Sequence, residues 1–128
     1  MKLFEDLILG DDCPIYLQII RYVKQRIAAG TVGNLEEIPS RRALSALLGV
    51  NPNTIQKAYR ILEEEGVIVS HSGAKSYTNV DAETVERIRG ELLTEDTKVW
   101  VTAMRRLGVS REEAFALAEK EWYAETGI

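Results

Sequence analysis

The feature that most constrains this chain is a pair of helix signals set almost back to back. Ser40 is a capping residue, Gly49 a helix-ending one, and Asn51-Pro52 restarts a helix at once. Asn caps a helix by accepting from a backbone N–H, and Pro in the first helical position forfeits no hydrogen bond because that N–H would be orphaned anyway. A short helix, a tight Gly-containing turn and a longer helix follow, over Pro39 to Ile68, which is the layout of a helix-turn-helix. Leu44, Leu48, Val50, Ile55 and Ala58 are apolar where two steeply crossed helices must touch, and the small Ala58 permits close approach.

The flanks supply the remaining elements. Ile15, Ile19, Ile20, Val23 and Ile27 recur at steps of three and four, predicting a helix that Pro14 begins and Gly30 ends. Thr31 to Pro39 carries turn residues Gly33 and Asn34 and reads as a connection, with a short β-bridge through Leu35 to Ile38. Leu44, Leu47 and Leu48 give the short helix one buried face. Ile55, Ala58, Tyr59 and Leu62 mark the inner face of the longer one, which Gly66 stops. Val67 to Val69 and Ser76 to Val80 are β-prone and flank His71, Ser72, Gly73, Ala74 and Lys75, so they predict a hairpin, a wing, with a polar, cationic tip.

Beyond Asp81, a second capping residue, Val85, Ile88, Leu92, Val99, Ala103 and Leu107 line one side of a helix reaching Gly108. That helix is too long and one-sided for the small domain alone to bury. Ser110 with Glu113 forms a capping-box pattern opening a last helix on which Ala114, Phe115, Ala118 and Trp122 share a face. The fold class is therefore mainly α with a small β wing. Residues 1–80 form a winged helix-turn-helix, and residues 81–128 a two-helix region expected to dimerise through Val85, Ile88, Leu92, Val99, Trp100, Ala103, Leu107, Phe115 and Trp122.

Charge narrows the partner. The formal net charge is −4, yet residues 13 to 79 hold eight Lys+Arg against five Asp+Glu, while residues 80 to 128 hold seven against eleven. A nucleic-acid face, which needs concentrated cations, belongs to the first part. Cys13 is the only cysteine and His71 the only histidine, so disulfide, zinc and Cys/His catalytic chemistry lack their parts, and no cofactor or enzymatic role is expected. No apolar run approaches the roughly 18 residues of a membrane span, and the acidic N-terminal stretch is unlike a signal peptide, which predicts a cytoplasmic protein without membrane contact.

Opposite the apolar side of the longer helix stand Asn53, Thr54, Gln56 and Lys57 beside the Asn51 cap, with Arg60 one turn on. These side chains suit base edges and phosphates of double-stranded DNA, and the unencumbered helix start can enter a major groove. Ser40, Arg41 and Arg42 would lie against the adjoining backbone, Arg42 ahead of Arg41, with Gly73 and Lys75 on the wing. Glu63, Glu64 and Glu65 point around the helix and read as a solvated end; His71 reads as solvated, and both tryptophans as interface residues.

Three motifs, Pro14-Ile15-Tyr16-Leu17-Gln18, Ile38-Pro39-Ser40-Arg41-Arg42-Ala43-Leu44 and Asn51-Pro52-Asn53-Thr54-Ile55-Gln56-Lys57-Ala58-Tyr59, resemble the GntR family of bacterial regulators over residues 14 to 79. The short tail resembles the YtrA-like subfamily, in which it dimerises and is too small for the effector pocket of longer relatives; such proteins often repress transporter operons. The resemblance implies DNA contact from Arg42, Asn53 and Thr54, supported by Ser40, Lys57 and the wing at Gly73. Two positions depart from the pattern: Ala43 replaces a Glu, and Lys75 stands where the wing has a second Gly. The competing expectation is a winged-helix module that binds another protein through the same face.

Overall fold

The computed structural model describes residues 3–71 and 75–125. In chain order the elements are α1 (Ile15–Ala28), β1 (Glu37–Ile38), α2 (Arg41–Leu48), α3 (Pro52–Glu64), β2 (Ile68–His71), β3 (Lys75–Thr78), α4 (Ala82–Arg106) and α5 (Arg111–Glu125). The strands form one antiparallel sheet in the order β1-β3-β2, with Val69 opposite Tyr77 and Glu37 on Tyr77's other side.

The starts of α2 to α5 each rest on the capping group the sequence predicted, while α1 begins after Pro14 without a side-chain cap. Ser40 Oγ accepts from Ala43 N–H at 3.0 Å, Asn51 Oδ1 from Asn53 N–H at 2.7 Å, and Ser110 Oγ from Glu113 N–H at 3.1 Å. Asp81 Oδ1 accepts from Thr84 N–H at 2.8 Å, and the hydrogen bonds from Thr84 hold the Asp81 carboxyl below its usual range. Gly49 ends α2 in the left-handed region at φ 67°. Most residues pay a steric cost there, so this position sets the sharp turn into α3.

The chain divides into two compact units, 1–92 and 93–128. The division falls inside α4, whereas the sequence places a boundary at its start. In the first unit α1 and α2 both pack on α3, and α3 packs on β2. Ile19, Val23, Leu44, Ile55, Ala58, Tyr59, Leu62 and Val67 are fully buried. The stripes expected on α1 and α3 are thus the core, but Leu47 of α2 is 55% exposed. An eight-residue helix resting chiefly on α3 buries Leu44 fully and Leu48 in part.

Two regions depart further from expectation. The segment before α1 belongs to the core: Phe4 is 1% exposed, its ring stacks on Tyr22 at 5.1 Å, and its N–H donates to the Tyr22 hydroxyl at 2.9 Å. Tyr22 in turn donates to Asp6, which also pairs with Arg26 at 3.4 Å. That hydrogen bond, more than any other influence, holds the Asp6 carboxyl below its usual range.

The first part of α4 is also claimed by the first unit. Ile88 is 0% and Leu92 9% exposed, and Val85 packs against the same core. Arg87 Nη2 donates to the Glu65 carbonyl at 2.7 Å, and Lys24 pairs with Glu65 at 2.6 Å and Glu91 at 3.6 Å. Ile88 and Leu92 are therefore corrected from interface to core, since a covered side chain has no surface left for a partner, while Val85 packs against the core and stays partly exposed.

In the second unit Trp100 stacks on Phe115 with centroids 6.0 Å apart and planes at 11°, and Arg111 lies 5.6 Å over the Phe115 ring. Ala114 is buried, while Val99, Leu107 and Trp122 are each more than 70% exposed. Among the described residues no helix is long and apolar enough to cross a membrane, and no cluster of His, Cys, Asp and Glu could hold a metal ion.

Candidate nucleic-acid interface

Burial of Ile55, Ala58, Tyr59 and Leu62 forces the intervening positions outward. Asn53, Gln56, Lys57 and Arg60 are exposed at helical spacing on one side of α3, with Thr54 half-buried at its edge. No element lies over this side at its start, because Asn51 and Pro52 are themselves exposed. Asn51 accepts the N–H groups there, from Asn53 on its side chain and from Thr54 and Ile55 on its carbonyl, so what the helix start adds is the positive end of its dipole.

The cations differ in how free they are. Arg42 is exposed and has no hydrogen-bond or ion-pair partner among the described residues. Lys57 Nζ sits 4.0 Å above the centre of the Tyr16 ring, so α1 holds a cation of α3 in place. Arg60 pairs with Glu64 at 3.0 Å, both more than half exposed, and Lys75 lies 3.9 Å from Glu37 under similar exposure. Pairs in open solvent are worth little, so phosphate can displace either carboxylate at small cost.

Arg41 is held differently, by partners on α3. Its Nη2 donates to Glu63 Oε1 at 3.2 Å, and its guanidinium stacks over Tyr59 at 5.3 Å. Burial pushes the Tyr59 phenol well up, keeping its proton for the Pro39 carbonyl at 2.7 Å. Gly73 lies outside the described residues. Lys75 belongs to β3, opposite His71, rather than to the turn between the strands.

The sequence reading missed two contributors, Tyr16 and the three glutamates that end α3. Glu63 pairs with Arg41, Glu64 with Arg60 and Glu65 with Lys24, each on a different part of the fold. Glu63 and Glu65 are thus corrected from a solvated helix end to a junction, while Glu64, 61% exposed, stays in solvent with a partner four residues back on its own helix. Which cations Glu63 and Glu65 meet depends on how α1, α2 and α3 cross.

A helix-turn-helix whose second helix leads into an antiparallel wing defines the winged helix-turn-helix class of DNA-binding proteins. The family model for bacterial regulatory proteins of the gntR family matches residues 15–78. The chain belongs to the GntR family of transcriptional regulators. It is 32% identical over 100 residues to the HTH-type transcriptional regulator YhcF of Bacillus subtilis (strain 168), covering 78% of this chain and 83% of YhcF. It is 39% identical over 71 residues to the HTH-type transcriptional repressor YtrA of the same organism, covering 56% of this chain and 55% of YtrA. A solved GntR family transcriptional regulator from Listeria monocytogenes superposes with a TM-score of 0.78 at 33% identity, over 88% of this chain and 98% of that one. The protein is accordingly a DNA-binding regulator and not an enzyme.

Proposed function

We propose that this protein is a sequence-specific repressor that grips a roughly palindromic operator as a homodimer. The observation that carries the reading is the open polar side of α3, with Asn53, Gln56, Lys57 and Arg60 exposed in register, while Arg42 at the start of α2 is exposed without a partner among the described residues. Asn and Gln can bridge adenine in the major groove, while Arg and Lys serve guanine or phosphate. In this reading Asn53, Thr54 and Gln56 meet bases, and Arg42, Lys57, Arg60 and Lys75 meet the backbone. Similarity to a repressor, YtrA, supports repression, and the resemblance to its subfamily points to a transporter operon as target.

Binding to the chain's own upstream DNA across a salt series tests this. Preference for one site over a scrambled duplex, persisting as salt rises, is expected; equal affinity for both would reduce the protein to non-specific phosphate binding. Capture of a protein partner with no DNA protection would favour the interaction-module alternative.

Dimerisation is supported by the second unit, where Val99, Leu107, Phe115 and Trp122 are exposed, with Ala103 on the same helix as Val99. A cleft of about 340 Å³, lined among others by Trp100, Met104, Ala114 and Phe115, opens between its two helices. A two-helix unit with so little covered surface is not expected to stay folded in water without a mate. Light scattering at micromolar concentration should give twice the chain mass, and Trp122→Glu should shift the population toward monomer. A monomeric wild-type protein would rule the dimer out.

A further inference from the structure

We infer that Glu63 is the positioning residue that ties the wing to the recognition helix, and that Arg41 serves this strut rather than DNA. The inference rests on the DNA-binding reading of α3 and on the wing reaching the duplex. One oxygen carries the junction. Glu63 Oε1 accepts from Arg41 Nη2 at 3.2 Å and from the Ser70 hydroxyl at 2.6 Å. The Ser70 proton is thereby spent, so the 3.1 Å contact between the two serine hydroxyls has Ser76 donating to Ser70. The chain Ser76 to Ser70 to Glu63 spans both wing strands and ends on the last turn of α3; Arg41 adds the start of α2.

Three elements that would touch DNA therefore meet at one carboxylate. Such linked hydrogen bonds polarise one another, and the charge strengthens them further. The ion pair is only partly exposed, with side chains at 29% for Arg41 and 33% for Glu63, so solvent screens it less than the Arg60 pair. Stacking on Tyr59 fixes the guanidinium from its other side. An unpaired carboxylate in this place would repel phosphate, and Arg41 cancels that charge. Elsewhere the β2–β3 hairpin is held at its base, by Val67 N–H on the Leu62 carbonyl and Asn79 Nδ2 on the Gly66 carbonyl, and by β1 along β3; Glu63 adds a polar tie farther up β2.

The test is footprinting of the full-length protein on its operator with two probes: hydroxyl radical for the flanking minor groove and methylation of guanine N7 for the major groove. Ser70→Ala removes the wing's link from an exposed position that the core does not need. It should erase most flanking protection and weaken binding about three- to tenfold, leaving major-groove protection intact. Arg41→Met combined with Glu63→Gln, which keeps the stem over Tyr59 and removes both charges together, should leave the salt slope unchanged, whereas loss of a phosphate contact from Arg41 would lower that slope by about one. A wild-type pattern in Ser70→Ala, a uniform loss over both grooves, or a salt slope lowered by about one in the double variant would overturn the strut. If wild-type protein protects no flank, the wing's contact with DNA is what fails, and the strut falls with it.

Discussion

Arg42→Ala and Thr54→Ala are each expected to weaken operator binding by on the order of 1–3 kcal/mol, roughly five- to 150-fold, without altering the fold. Neither residue is needed by the core: Arg42 is exposed and unpartnered among the described residues, and Thr54 is half-buried at the edge of α3. The two losses should differ in kind. A phosphate contact from Arg42 would be lost equally on cognate and scrambled duplexes, with a shallower salt dependence; a base contact from Thr54 would be lost on the cognate duplex alone. Fluorescence anisotropy on both duplexes at several salt concentrations separates these cases. Unchanged affinity in both variants would remove the interface drawn here.

Phe4→Ala should lower the unfolding free energy by about 3–5 kcal/mol, the usual cost of deleting a buried aromatic ring. The ring is covered, stacked on Tyr22, and held by the hydrogen bond from its own N–H to that hydroxyl. Against a typical total of about 5–15 kcal/mol, such a loss is large. Phe4 also sits in the left-handed region at φ 77°, where a Cβ is strained. Alanine keeps that strain and glycine does not, so Phe4→Gly should be the milder substitution. Urea unfolding followed by circular dichroism gives both numbers; a change below about 1 kcal/mol would place this segment outside the core.

The helix-turn-helix was legible because its signals are local. A capping side chain, a proline that needs no donor and a glycine that tolerates positive φ act within a few residues of themselves, and the period of three and four marks Ile55, Ala58, Tyr59 and Leu62 as the side to bury. The exposed side then follows by subtraction. The wing was legible in outline, although its strands run through His71 and from Lys75 rather than stopping short of them.

The stripe on α4 misled for a definite reason. Periodicity says that Val85, Ile88 and Leu92 will be covered but not by what, and here α4 turns back on its own domain through Glu65, Lys24 and Arg87. Leu47 shows the converse: it carries the period of a buried residue, yet its helix packs chiefly on α3 and leaves it 55% exposed. The N-terminal segment has no period at all, so nothing in it announced Phe4 as core.

Local chemistry along the chain determined which residues form helices, where those helices begin, and which side of α3 is polar. Only the tertiary structure decided which charges remain available to DNA. Lys57 over Tyr16, Arg41 on Glu63 and Arg42 without a partner among the described residues all look alike in sequence, because a cation's freedom depends on groups brought near it from distant positions. Their separations fall off with how the helices cross, and Coulomb and hydrogen-bond energies depend on those separations rather than on spacing along the chain.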